Sequence, residues 1–140
     1  MNRNEIITAM SQFANEMGVS VDTLVLGYGA ALVMHGLRES TNDLDLDVPS
    51  EMWHETAKKI APVEGLLGPR LIWSEHIDLH LPKVDQERTV VIDGIRCYSL
   101  EELLDCYKVF LSHPDRKPES RDKDRMAIGA ILNALYSSYY

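Results

Sequence analysis

The chain is poor in cysteine, with only Cys97 and Cys106 among its 140 residues. Two thiols cannot build a disulfide framework, and their spacing matches no zinc signature. Both are expected as reduced thiols of a cytoplasmic protein, Cys106 within an apolar helical pattern. No stretch approaches the ~20 consecutive apolar residues of a membrane span. The start, MNRNEIITAM, lacks the apolar run and small-residue cleavage site of a signal peptide. Basic residues are also scarce, 14 against 22 acidic ones, for a formal net charge of −8. That balance excludes indiscriminate nucleic-acid binding through a basic surface. It leaves room for a local basic patch or for an acidic cluster that holds metal ions. Internal repeats and low-complexity segments are missing. What remains is 45% hydrophobic and 26% charged, the make-up of one globular domain over residues 1–140.

Periodicity divides the chain into elements. Ile6, Ile7, Met10, Phe13, Ala14 and Met17 recur at helical spacing before Gly18. Thr23-Leu24-Val25-Leu26 reads as a buried strand that Gly27 and Gly29 break, and Ala30 to His35 as a short helix ended by Gly36. A second strand is expected over Asp43–Val48, a helix over Ser50–Ile60, and loop from Pro62 to Pro69. Strands follow at Arg70–Trp73 and His76–Leu81. Asp93-Gly94 between apolar runs signals a two-residue hairpin joining Arg88–Ile92 to Ile95–Tyr98. Ser99 with Glu102 predicts a capping box before a helix through Leu111, and a last helix covers about Glu119 to Tyr136. The order predicts an α+β fold, a mixed β-sheet flanked by helices, with a core over 23–98 and C-terminal helices over 99–137.

The chemistry concentrates in STNDLDLDV, residues 40–48. On a strand, residues two apart share a face, so Asp43, Asp45 and Asp47 point one way and Leu44, Leu46 and Val48 the other. The leucine face must be buried, and the aspartate face must be wet, paired or metal-bound. Asp43 and Asp45 lie ~6–7 Å apart at their α-carbons, a spacing that lets two carboxylates share one hard cation or bracket two. A solvated edge strand is the plainer account of such alternation taken by itself. Aspartate is a poor strand former, however, and three like charges on one face repel.

The stretch LGYGAALVMHGLRESTNDLDLDV resembles the core signature of the polymerase-β-like nucleotidyltransferase superfamily: a strand, a Gly-Gly or Gly-Ser turn, a short helix, and an Asp-x-Asp on the next strand. In style it is similar to the small nucleotidyltransferases of bacterial toxin–antitoxin and defence systems. Gly29, Ala31, Leu32, His35, Gly36, Arg38, Ser40, Thr41, Asp43, Leu44, Asp45 and Leu46 fit that pattern. Tyr28 departs from it, standing where the pair would have its first glycine. A weaker likeness continues through Gly94-Ile95, Ser99, Glu101 to Leu104, Lys108, Arg121, Lys123 and Asp124.

The resemblance implies a fold, an activity and site roles. The activity is Mg²⁺-dependent transfer of a nucleoside monophosphate from an NTP to a hydroxyl on a tRNA end, a protein or a small molecule. A toxin-like setting with a cognate antitoxin goes with it. Asp43 and Asp45 would hold two Mg²⁺ ions together with a third carboxylate, Asp78 in HIDLHLP, with Asp85 as the fallback. Gly27 and Gly29 would approach phosphate, with Arg38, Ser40, Lys108, Arg121 and Lys123 as further nucleotide or acceptor contacts. Plainer readings stand beside these. Arg38 and Lys108 serve equally as solvated cations. Residues 115–125 carry five basic and four acidic side chains, the pattern of a helix end laced with ion pairs. His76, Asp78 and His80 share a strand face at a zinc-like spacing, but lack further well-placed ligands. The competing functional class is a non-catalytic binding or inhibitory protein that keeps the scaffold, and Tyr28 argues for it.

Overall fold

The computed structural model describes residues 1–66 and 68–137. The expectation for the tail ending in Tyr139-Tyr140, a sticky surface or a packed terminus, falls in part outside them. Helix α1 spans Arg3–Met17, with Asn2 and Glu5 closing a full capping box and Gly18 ending it in the left-handed conformation. Strand β1, Val25–Gly27, leads directly into helix α2, Tyr28–Met34. Strand β2 is Leu44–Asp47, helix α3 Ser50–Ala57, and strands β3, β4 and β5 are Val63–Gly65, Gly68–Ser74 and Ile77–His80. Strands β6, Thr89–Ile92, and β7, Ile95–Tyr98, form the expected hairpin, with Asp93 and Gly94 both at positive φ as a mirror-image turn requires. Helices α4, Leu100–Ser112, and α5, Pro118–Ser137, complete the chain.

The seven strands described form one mixed sheet in the order β3-β4-β5-β2-β1-β7-β6, so the expected α+β architecture is the one observed. Strand β2 lies at its centre, antiparallel to β1 and parallel to β5. Leu24, Leu26, Leu44, Leu46, Leu71 and Leu79 are fully buried, as are Ile6 and Met10 of α1 and Leu103 of α4. This is the leucine face that alternation predicts. Several local expectations change: α2 begins at Tyr28 rather than Ala30, α3 ends at Ala57 rather than Ile60, and Gly68 and Pro69, expected as loop, open β4. Residues 63–65, expected as loop because Pro62, Gly65 and Gly68 punctuate them, form a short edge strand against β4. At α4 the capping box is half made: the Ser99 hydroxyl accepts from the Glu102 N–H, but the Ser99 N–H goes to the Arg88 carbonyl. The Glu102 carboxylate accepts from Arg88 instead, 2.9 Å away.

Cys97 and Cys106 are free and buried, and burial pushes each thiol up to about 12. His35 is anchored as a structural histidine, with Nε2 2.8 Å from the Tyr98 carbonyl. Among the described residues no helix is long and apolar enough to cross a membrane.

Candidate functional site

Strands β2 and β5 build the site between them. Their parallel register pairs Asp45 with Asp78 and Asp47 with His80. Directly paired residues on neighbouring strands point to the same face, about 5 Å apart in the backbone. Burial of Leu44, Leu46 and Leu79 on the opposite face fixes which way the acids look. Asp45 and Asp78 therefore come together, and Asp43 lies just before β2, with its side chain 59% exposed and His76 Nδ1 3.8 Å from its Oδ1.

Each acid has its own partner. The His80 ring, almost fully buried, donates from Nε2 to Asp45 Oδ1 over 2.9 Å. Arg70 Nη1 donates to Asp78 Oδ2 over 2.6 Å, from the strand on the other side. Arg70 is the register partner of His80, so it reaches Asp78 as a diagonal neighbour on one sheet face. Burial raises the Asp78 carboxyl above the ordinary carboxylate range; the Arg70 charge opposes this, and the nearby Asp45 charge adds to it. Asp47 is buried and accepts from the Tyr98 hydroxyl at 2.6 Å. It is a structural acid rather than an open one, and burial pushes its carboxyl up too.

A cavity of about 270 Å³ opens on this face, lined by Tyr28, Asp45, Arg70, His80, Lys83 and Arg116 together with residues 65, 66, 68, 107 and 110. Three cations thus stand round the mouth of an acidic strand. Lys83 Nζ lies 3.5 Å from His80 Nδ1 and 6.0 Å from the Tyr28 ring centre. Desolvation lowers the Lys83 ammonium from its ordinary value, with Asp47 and Asp45 opposing that shift.

Tyr28 takes the place that the turn pattern reserves for glycine. Its φ is 54°, in the left-handed region that a bulky L-residue rarely adopts. Its ring is buried edge-on to His80 and Tyr98 and tilted against Phe110. The hydroxyl reaches no partner at normal hydrogen-bond geometry, although the Tyr98 hydroxyl is close enough to influence it. At Gly27 a Cβ would come within 3.3 Å of the Tyr98 ring, a tight approach that the buried ring would have to yield to. At Gly29 a Cβ would come within 2.8 Å of Arg38 Nη1 and 3.0 Å of Thr41 Oγ1. The Arg38 guanidinium therefore rests on the bare Gly29 backbone.

The remaining sequence candidates lie elsewhere. Ser40 is exposed in the loop before β2, Lys108 is exposed on α4, and Asp85 is exposed before the short 3-10 turn Gln86–Arg88. Arg38 and Lys123 share a neighbouring groove. Arg121 is committed within the α4–α5 connection, where it donates to the carbonyls of Leu111, His113, Pro114 and Arg116. Arg70, Lys83 and Arg116 were not singled out from the sequence. The signal for Arg70 was there: a cation and an acid on two adjacent expected strands. Arg116 and Lys83 sit in connections whose path no periodicity gives.

The donor chemistry fits Mg²⁺, which takes hard oxygen ligands and often only one or two carboxylates, with phosphate and water completing the shell. Asp45 and Asp78 each keep one oxygen outside the bonds to His80 and Arg70. Among the described residues no three His, Cys, Asp or Glu side chains gather as a ready-made metal cluster.

No family model matches the chain, and no curated protein matches it in sequence. Two solved structures share its fold. One is ANT(2")-Ia in complex with adenylyl-2"-tobramycin, at TM-score 0.54 and 20% identity over 97% of this chain and 98% of that one. The other is the Megavirus polyadenylate synthase, at TM-score 0.60 and 15% identity over 94% of this chain. This chain spans 32% of the viral enzyme. Both are nucleotidyltransferases, and the seven-stranded mixed sheet with its helices has the α+β fold they have.

Proposed function

We propose that the chain is a nucleotidyltransferase that moves a nucleoside monophosphate from an NTP to a hydroxyl acceptor. The observation that carries this is the register of β2 against β5, which sets Asp78 beside Asp45, and Asp45 lines a cationic cavity. In the proposed reaction the acceptor oxygen attacks the α-phosphorus. A P–O bond forms there, the bond to the bridging oxygen breaks, and pyrophosphate leaves. Asp43, Asp45 and Asp78 would hold the Mg²⁺, two ions in all, and the metal would supply charge neutralisation at the phosphates. Asp78 takes the acceptor's proton. His80 and Arg70 fix the orientation of the two acids, and Arg70 and Lys83 offset the charge that phosphate brings to the cavity. Arg38 and Lys123, in the neighbouring groove, stand as outer contacts, while Gly27 and Gly29 shape the turn; Ser40 and Lys108 line neither the cavity nor that groove, and Arg121 is taken up by the α4–α5 connection.

The fold shared with two nucleotidyltransferases supports this reading at the level of architecture. One domain over residues 1–140, a cytoplasmic location, a toxin-like role, a cognate antitoxin and a tRNA or protein acceptor belong to the same proposal and rest on the sequence alone. One observation favours the second reading, a non-catalytic binding or inhibitory protein: the Tyr28 ring buried in the phosphate turn. Calorimetry with Mg²⁺ and each NTP separates the two. Saturable binding that Asp45→Asn abolishes supports transfer, and labelled NTP incubated with cell RNA and protein then reveals the acceptor. Absence of binding with every NTP rejects the transferase and leaves the scaffold reading.

A further inference from the structure

A second concavity of about 470 Å³ lies beside the acidic cavity and shares Tyr107 and Arg116 with it. It runs between the end of α2 and helix α5. Three cations line it, Arg38, Arg116 and Lys123, against one acid, Asp124. Asp124 is fully buried and is held by Arg116 through two hydrogen bonds of 2.9 and 2.8 Å, so that pair is internally balanced. Arg38 and Lys123 are exposed, and among the described residues neither forms a hydrogen bond or ion pair. Two uncommitted positive charges thus face one groove in a chain whose net charge is −8. Arg38 is seated there by the bare backbone of Gly29.

The rest of the lining is apolar. Leu37 and the small residues at 127 and 130 form the wall with Met126, whose side chain is left 76% exposed on α5. An apolar ledge with two cations at its rim complements a flat apolar body carrying a phosphate. A nucleotide has that chemistry: its base can lie on methionine and leucine while its phosphate is met by arginine and lysine.

We infer that this groove seats a phosphate-bearing nucleotide unit of the acceptor, next to the cavity where transfer is proposed; the acceptor role rests on the transferase reading above. The occupant is an anionic nucleotide rather than a cationic or purely apolar molecule, because both unpaired groups are positive and a purely apolar ligand would leave them unmatched.

Binding without metal tests the groove separately from transfer. The full chain, labelled with ¹³C at its methionine methyl groups, is titrated in EDTA with AMP, adenosine and inorganic phosphate. The expected result is a shift of the Met126 methyl with AMP, at an affinity about tenfold or more above that for adenosine or phosphate alone. Lys123→Glu and Arg38→Gln should each weaken AMP by about tenfold. An unmoved Met126 methyl overturns the inference. So does equal affinity for AMP and adenosine, or AMP binding that neither variant weakens. Loss of Mg²⁺-NTP binding at Asp45 is a separate measurement, so either result can fail while the other stands.

Discussion

Asp47 and Asp45 sit two residues apart on one strand face and have opposite fates. Asp45 borders the open cavity, and Asp47 is sealed under the Tyr98 hydroxyl. Alternation in DLDLD placed the acids on one face, but it could not assign partners, because those arrive from β5 and β7 far along the chain. The Asp47 environment has a measurable consequence. Burial holds its carboxyl above the ordinary value, so the folded chain keeps a proton there at pH values where the unfolded chain has released it. Stability from this group is then greatest in acid and declines as pH rises through the folded-state value. Asparagine still accepts from Tyr98 and carries no charge. Urea unfolding of Asp47→Asn should give a flatter stability profile than wild type between about pH 4 and pH 7, and at pH 7 a stability equal to or above it. A loss of more than about 1 kcal/mol at pH 7 would show that the charged form is the one the fold prefers.

Helices α4 and α5 show what periodicity does and does not reveal. Their apolar faces were legible in part. Spacing predicts Leu100, Leu103, Leu104, Tyr107 and Leu111 as the apolar face of α4, of which Leu103 and Tyr107 are buried, together with Phe110; on α5 it predicts Met126, Ile128, Ile131, Leu132 and Leu135, of which Ile131 alone is fully buried, beside Ala127, while Met126 is exposed. Their polar lock was not legible, because the run from Asp115 to Arg125 reads as surface ion pairs. Arg125 and Asp122 do form such a pair, exposed and one helical turn apart. Arg116 and Asp124 form the other kind, with the carboxylate fully buried. Exposed pairs contribute ~0–1 kcal/mol, whereas removing one partner of a buried pair costs ~3–5 kcal/mol. Arg116→Ala should therefore lose roughly 3 kcal/mol in chemical denaturation, and Arg125→Ala less than about 0.5 kcal/mol. Similar losses from the two would mean that burial does not distinguish the pairs. The one strand that sequence reading missed, β3, is three residues long at the sheet edge. Its pairing to β4 depends on a turn and not on an apolar pattern of its own.

Across the whole molecule the strand order puts β2 at the centre and β3 and β6 at the two edges. Amide exchange should be slowest at residues 44–47 and 25–27 and fastest among the strands at residues 63–65; uniform protection would show that the sheet opens only as one unit. Fold class was legible from the sequence because binary patterning and turn signals agree with each other along most of its length. Of the candidate acids, the pairing of Asp45 with Asp78 follows from the ladder while Asp43 stays outside the cavity; the cations were not legible, because they come from connections and from a strand pairing that only the folded sheet defines. The crossover between β2 and β5, residues 48–76, also separates two kinds of change. It leaves the sheet through α3 and returns through the β3–β4 hairpin, whose tip at residues 65, 66 and 68 walls the cavity. Lengthening or recolouring that tip reshapes what the cavity admits, yet the pairing of residue 45 with residue 78 depends on the ladder beneath. On the proposed function, selectivity would follow the tip and chemistry the ladder, and a lineage could alter the first many times over without once disturbing the second.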